Sequence, residues 1–282
     1  MPEDVLPDPD VPRIVITGGS SRIATSVRPF LRRAGREVVL LDIVRPSRPL
    51  EAGESFAEVS VFDVAALRDV FQGADLVVHL AGHPGGVSWP EILSLNIDGT
   101  QKTLEAAHDA GVTRVLLASS NHAVGYSTVD ELAGVRVPQP RPDSYYGVGK
   151  VTLEALGSLF ADRYGMTIVS ARIGSFLDEP DLRDEGRPLA TWLSPADFGR
   201  LIEATAALDE PGHRIVWGMS DNFPSWFDLS EGRAIGFEPR DDTRQWAQDH
   251  DAVAAVPPTT ALEGGAMITD SAPPAAGPDR AV

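Results

Sequence analysis

The chain has 282 residues, 43% of them apolar and 23% charged, with a formal net charge of −17. That apolar share is enough to fill a globular core, while the acidity repels phosphate backbones and anionic lipid surfaces, so neither nucleic acid nor membrane is expected as a partner. Zero cysteines remove disulfide frameworks, thiolate metal sites and cysteine nucleophiles from consideration, and no metal-ligand spacing stands out elsewhere, so no metal is expected.

Residues 1–11, rich in Pro and Asp, read as a disordered lead-in. Met1-Pro2-Glu3-Asp4 has neither the basic nor the apolar region of a signal peptide, and no stretch reaches the length of a membrane span, so the expected location is the cytoplasm. Arg13 to Thr17 is a short apolar run that ends in Gly18-Gly19-Ser20-Ser21 and is followed by an amphipathic stretch to Ala34-Gly35, which predicts strand, tight turn and helix. Val38 to Asp42 predicts a second buried strand with an acid at its carboxyl end. Further strands are expected at 56–61, 75–80, 115–118, 167–172 and 214–217, with helices at about 64–71, 91–110, 144–164 and from Ser194-Pro195. This alternation predicts an α/β fold, a doubly wound parallel Rossmann-type sheet over 12–172, with a small C-terminal substrate-binding cap in 173–249. Residues 173–193 read as a long loop and Trp226 to Phe237 as a helical element. From about 250 to 282 the sequence loses apolar periodicity and reads as largely disordered, so a chain ending near 250 is expected to keep fold and activity.

The turn after the first strand aligns with a Gly-x-x-Gly-x-x-Gly dinucleotide loop in which only Gly18 survives; Ser21 and Ala24 hold the other glycine positions. Asp42, about 20 residues on, suits a ribose diol and favours NAD, since its charge opposes a 2′-phosphate; Arg22 and Arg45 keep NADP as the second choice. The loop residues Gly18, Ser21, Arg22 and Ile23, the strand ends Leu80-Ala81-Gly82, and Asp63-Val64 complete the expected cofactor set, because ligands of open α/β sheets bind at the carboxyl edge. Ser119 and Ser120 reach the same edge from the fifth strand. Tyr146 and Lys150 fall four apart on a helix, where phenol and ammonium share a face and the cation is expected to lower the phenol's pKa. Asn121-His122 reads either as a substrate contact or as a satisfied structural pair, and His79, inside an apolar strand, as core.

These residues, with Gly125-Tyr126, Tyr146-Gly147-Val148, Arg172-Ile173-Gly174-Ser175, Leu189, Thr191-Trp192 and Val216-Trp217-Gly218, make the chain resemble the extended short-chain dehydrogenase/reductase superfamily over roughly 13–240. The likeness is to its NAD-dependent epimerase/dehydratase branch, and within it to the uronate dehydrogenases. It implies that Ser120, Tyr146 and Lys150 are catalytic, with Lys150 also on the cofactor. It implies too that Asn121, His122, Ser175 and Arg187 line a sugar site, with Arg187 on a carboxylate unless a loop acid such as Asp184 or Glu185 claims it. Pro84 stands where a substrate-contacting serine aligns. A small polar cyclic substrate, such as a uronic acid oxidised at its anomeric carbon, and a homodimer or higher homo-oligomer are expected from the likeness. The rival readings are a ketoreductase acting on a nucleoside-like or other cyclic ketone, and a redox sensor that binds NAD without turnover.

Overall fold

The computed structural model describes residues 12–84, 88–180, 187–249 and 261–265. In chain order it comprises β1 (Ile14–Thr17), α1 (Arg22–Leu31), β2 (Val38–Asp42), β3 (Glu54–Glu58), α2 (Val64–Phe71) and β4 (Leu76–His79). Next, α3 (Trp89–Glu91) runs through a π-helical segment (Ile92–Asp98) into α4 (Gly99–Asp109), and β5 (Arg114–Ser120) leads into a 3-10 turn (Asn121–Val124). There follow α5 (Val129–Leu132), α6 (Tyr145–Tyr164), β6 (Thr167–Ile173), β7 (Ser175–Phe176), α7 (Arg187–Thr191) and β8 (Trp192–Leu193). The last elements are α8 (Pro195–Ala206), β9 (Gly212–Gly218), α9 (Ser230–Ala234) and α10 (Arg244–Asp249).

Alternate residues of each central strand face opposite sides, and here both sides are apolar, which forces helices onto both faces. Ile14, Ile16, Val38 and Leu40 pack with Val27 and Leu31 of α1 and Phe198 and Leu201 of α8. Val15, Val39 and Leu41 pack on the other side with Leu67, Phe71, Leu104, Leu153 and Phe160. The resulting seven-stranded sheet has the order β3-β2-β1-β4-β5-β6-β9, and every pair in it is parallel. Chain direction through the sheet reverses between β1 and β4, and the crevice at that switch point is where such sheets bind ligands.

Several expectations differ from the structure. The third strand lies at Glu54–Glu58, and the expected helix over 91–110 contains the π-helical segment, which periodicity does not distinguish from regular helix. The stretch read as a long loop carries β7, α7 and β8, and the expected helix from Trp226 is regular only at Ser230–Ala234. Trp226, Phe227 and Leu229 instead form an apolar cluster with Val124, Leu132, Trp217 and Met219.

Part of the tail lies against the body. Residues 261–265 dock on the body: Leu262 bridges antiparallel to Thr128, Val129 N–H donates to Ala261 O (3.0 Å), and Glu263 N–H donates to Ser127 O (2.9 Å). Glu263 is fully buried, and its carboxylate accepts from Asn121 Nδ2 (2.9 Å) and Trp226 Nε1 (3.3 Å). Polar contacts spanning 142 residues fasten this segment, so its low apolar content hides it from a reading based on hydrophobic periodicity. The rest of 250–282 lies outside the described residues.

A chain ending at residue 250 therefore leaves Asn121, Trp226 and Arg187 without their Glu263 partner. At about 1–3 kcal/mol for each buried donor left unpaired, and about 2–4 °C per kcal/mol, its thermal midpoint should fall by roughly 10 °C. Matching melts for the two forms would show that the docked segment contributes nothing to stability.

Candidate active site

The turn after β1 is shaped by close backbone approach. Gly18 has φ of 68°, and a Cβ there would lie 2.8 Å from Ala81 N, so only glycine lets this turn reach the end of β4. Ser21, at the lost glycine position, has ordinary extended backbone and caps α1, accepting from Ala24 N–H at 3.2 Å. The helix start is thereby fixed with its free N–H groups toward the crevice. Asp42 closes the other side. Its carboxylate accepts from Ser20 N–H (3.0 Å), Ile43 N–H (2.8 Å) and Val44 N–H (3.3 Å).

Gly18, Ser21, Asp42, Leu80, Ala81 and Gly82 line a cavity of about 410 Å³, whose far wall is Val59 to Phe62 with Ile43 and Val44. This donor set fits a dinucleotide: a helix N-terminus for a pyrophosphate, a carboxylate for a ribose diol, and apolar walls for a base. Asp63 and Val64 do not line it, contrary to expectation. Asp63 Oδ1 caps α2, accepting from Ala66 N–H at 3.0 Å, and the residues just before it form the wall. Arg45 stacks over Phe56 at 5.6 Å.

A second cavity, of about 740 Å³, shares Ser21, Leu80 and Gly82 with the first. Arg22 and Ile23 line it from α1, Ser120, Asn121 and His122 from the end of β5, and Tyr146 and Lys150 from α6. Pro84, Ser175 and Arg187 complete the lining, so the expected catalytic and substrate residues all meet here. Gly147 makes the meeting close, since a Cβ on it would lie 2.4 Å from His122 O; the first turn of α6 presses on the 3-10 turn. Ser144 caps that helix, accepting from Gly147 N–H at 3.0 Å.

The Ser120 hydroxyl donates to Asn121 Oδ1 (3.1 Å) and accepts from His122 N–H (3.2 Å), and it lines the cavity together with the Tyr146 phenol. Lys150 Nζ donates to Ala118 O at 2.6 Å and lies 5.4 Å from the Tyr146 ring centroid. Burial pushes the Tyr146 phenol up to about 12, only partly offset by Ser120, and pushes Lys150 down to about 8, partly offset by the Glu154 carboxylate. The phenol therefore lies above its ordinary value, not below it as expected. Removal from water raises it most, and the Asp143 carboxylate acts in the same direction.

His122 is held from two sides. Its Nδ1 is hydrogen-bonded to Asp143 Oδ2 at 2.7 Å, and its ring meets Tyr146 edge-on at 5.8 Å. His79 is core, as expected, bonded to Thr17 Oγ1 (2.8 Å) and Thr100 Oγ1 (3.0 Å), and burial, then Lys150, lowers its pKa to about 3. Ser175 Oγ pairs with Thr191 Oγ1 at 2.9 Å. Arg187 Nε donates to Glu263 O at 2.6 Å, and its Nη2 is 3.6 Å from Glu263 Oε1. The expected rival partners Asp184 and Glu185 lie outside the described residues. Sequence reasoning missed Asp143, Glu263 and the cavity-lining Gly264; the only local sign of the last two is the single Gly-Gly pair of the tail.

Tyr146→Phe should lower kcat by roughly 10²- to 10⁴-fold while NAD affinity, read by calorimetry, stays near that of the wild type. Near-normal turnover would remove Tyr146 from the acid/base role. Lys150 offers a sign test. Its folded pKa, about 8, lies below the ordinary 10.5, so the unfolded chain binds more protons between these values and stability rises with pH there. Lys150→Met lacks this penalty, and any melting advantage it holds near pH 7 should shrink between pH 8 and 10.5. A constant difference in midpoint across that window would contradict the buried-lysine reading.

Comparison with known proteins agrees with this geometry. Residues 14–185 match the model of the NAD dependent epimerase/dehydratase family. Uronate dehydrogenase of Pseudomonas putida is 35% identical over 90% of this chain and 95% of its own. L-arabinose 1-dehydrogenase (NAD(P)(+)) of Haloferax volcanii is 37% identical over 66% of this chain and 82% of its own. The crystal structure of an Agrobacterium tumefaciens uronate dehydrogenase mutant complexed with NAD superposes with a TM-score of 0.80 at 31% identity, covering 92% of this chain and 97% of that one. The chain belongs to the NAD dependent epimerase/dehydratase family, as an NAD-dependent oxidoreductase resembling uronate dehydrogenase.

Proposed function

We propose that the substrate is a cyclic sugar hemiacetal, oxidised at its anomeric carbon to the lactone. The observation that carries this reading is the convergence of Ser120, Tyr146 and Lys150 with Asn121, His122 and Ser175 in one cavity of about 740 Å³, a volume usual for small polar ligands. Uronic acids and arabinose differ beyond the ring but are alike as hemiacetals, so this is the chemistry that the two kinds of relative support in common.

NAD supplies the hydride acceptor when held by the Gly18 turn, Ser21 and Asp42. Tyr146 takes the hemiacetal hydroxyl proton on its phenolic oxygen in oxidation and returns it in the reverse direction. Ser120 donates a hydrogen bond to the reacting oxygen, where negative charge develops as the proton leaves. Lys150, 5.4 Å from the Tyr146 ring centroid, sets a positive charge beside the phenolate that forms in the step. The Asp143 carboxylate fixes the His122 ring, and His122 and Asn121 hold sugar hydroxyls.

The test is NADH formation with a panel of aldoses and uronic acids, and NADH consumption with cyclic ketones. Turnover with sugars, giving a lactone as first product, is the expected outcome. Ketone reduction without any sugar oxidation would replace the reading with that of a ketoreductase. Asp42→Ala should narrow the preference for NAD over NADP by removing charge opposed to a 2′-phosphate. Calorimetric titration of both cofactors reads it, and an unchanged ratio would take Asp42 out of cofactor selection.

A further inference from the structure

Among the described residues, Arg22, Lys150 and Arg187 are the arginines and lysine that line the cavity, and the chain's own carboxylate is already beside Arg187. Glu263 is fully buried, accepts from Asn121 Nδ2 on Oε1 and from Trp226 Nε1 on Oε2, and places Oε1 3.6 Å from Arg187 Nη2. Its backbone oxygen accepts a hydrogen bond from Arg187 Nε at 2.6 Å. Gly265 lets the guanidinium come this close: φ there is 55°, and a Cβ would meet Arg187 Cδ and Nε at 3.1 Å. Gly264, between them, lines the cavity and donates its N–H to Gly125 O at 2.9 Å. Glu263 is thus built in on four sides, with both carboxylate oxygens engaged.

We propose that Glu263 is a specificity-determining residue that neutralises Arg187, so that the site favours sugars uncharged at the end facing Arg187 over uronates. The proposal rests on the sugar-oxidation reading above. A uronate carboxylate could reach Arg187 only beside Glu263, where two like charges in a water-poor cleft repel and the guanidinium's charge is already offset. Burial raises the Glu263 pKa, and Arg187, Asn121, Trp226 and His122 offset that rise in part. A neutral aldose meets no such repulsion and still finds Asn121 and His122.

The experiment compares kcat/KM for galactose and galacturonate, and for glucose and glucuronate, in the wild type, Glu263→Gln and Glu263→Asp. The wild type should favour each neutral sugar by tenfold or more. In Glu263→Gln the uronate-to-aldose ratio should rise by roughly 10- to 100-fold, whereas the charge-preserving Glu263→Asp should stay near the wild-type ratio. A wild type that prefers uronates, or an unchanged ratio in a folded Glu263→Gln, would overturn the proposal. Calorimetric titration of glucuronate into the NAD complexes reads the same charge effect without turnover. If no sugar is oxidised but Glu263→Gln binds glucuronate 10- to 100-fold more tightly, the reaction assigned above fails and the role of Glu263 stands. If sugars are oxidised but neither ratio nor affinity moves, the role of Glu263 fails alone. Should the variants not fold, the wild-type preference by itself decides.

Discussion

The buried carboxylate of Glu154 is the constraint on which the site depends. It accepts from Ser119 Oγ at 2.6 Å and is bound in fork geometry by Arg172 Nε and Nη2, both at 2.8 Å. Arg172 in turn donates to Pro138 O at 2.9 Å and lies over the Trp217 ring at 5.9 Å. One ion pair thereby joins β5, β6, β9, α6 and the segment leading into α6. Burying two charges is unfavourable unless both are fully bonded, and breaking such a pair costs about 3–5 kcal/mol, so these elements have little freedom to slide. Tyr146, Lys150 and Glu154 recur every fourth residue of α6, on one face. Fixing Glu154 fixes the phenol and ammonium above it, and its charge also tempers the loss of proton affinity that burial imposes on Lys150.

What was legible in the sequence follows the same division. The seven strands of the main sheet are readable because apolar runs bounded by glycine and polar turns have few other ways to be buried, and Val15 and Ile16 need opposite faces covered. The catalytic spacing is readable because a helix turns a four-residue interval into adjacency. Adjacency does not reveal solvent exclusion, however, and the raised pKa of Tyr146 comes from the elements that close over it. Asp63 caps α2, a role that the sequence analysis did not assign to it. Glu263 was illegible for a different reason. Its partners Asn121, Arg187 and Trp226 lie far away in the chain, and its neighbours show no period.

The altered glycine loop shows how a motif can lose a residue and keep its geometry. Gly18 alone needs left-handed backbone and the room to touch β4. Ser21 needs neither, and it supplies a helix cap that glycine would not. In a protein with net charge of −17, the helix start and the arginines near the crevice are the local features able to hold an anionic cofactor.

The docked residues 261–265 separate two tasks that the sheet might have carried together. Groups that move a proton are welded to strands and to a twenty-residue helix, where any shift is felt throughout the core. Glu263, the residue proposed to set selectivity, is held by a five-residue segment attached through one isolated bridge and a few hydrogen bonds. Substitutions there need not disturb the catalytic scaffold. Selectivity in this architecture can therefore drift independently of the reaction, and a lineage could pass between charged and neutral sugars by changing a segment that no strand of the main sheet contains.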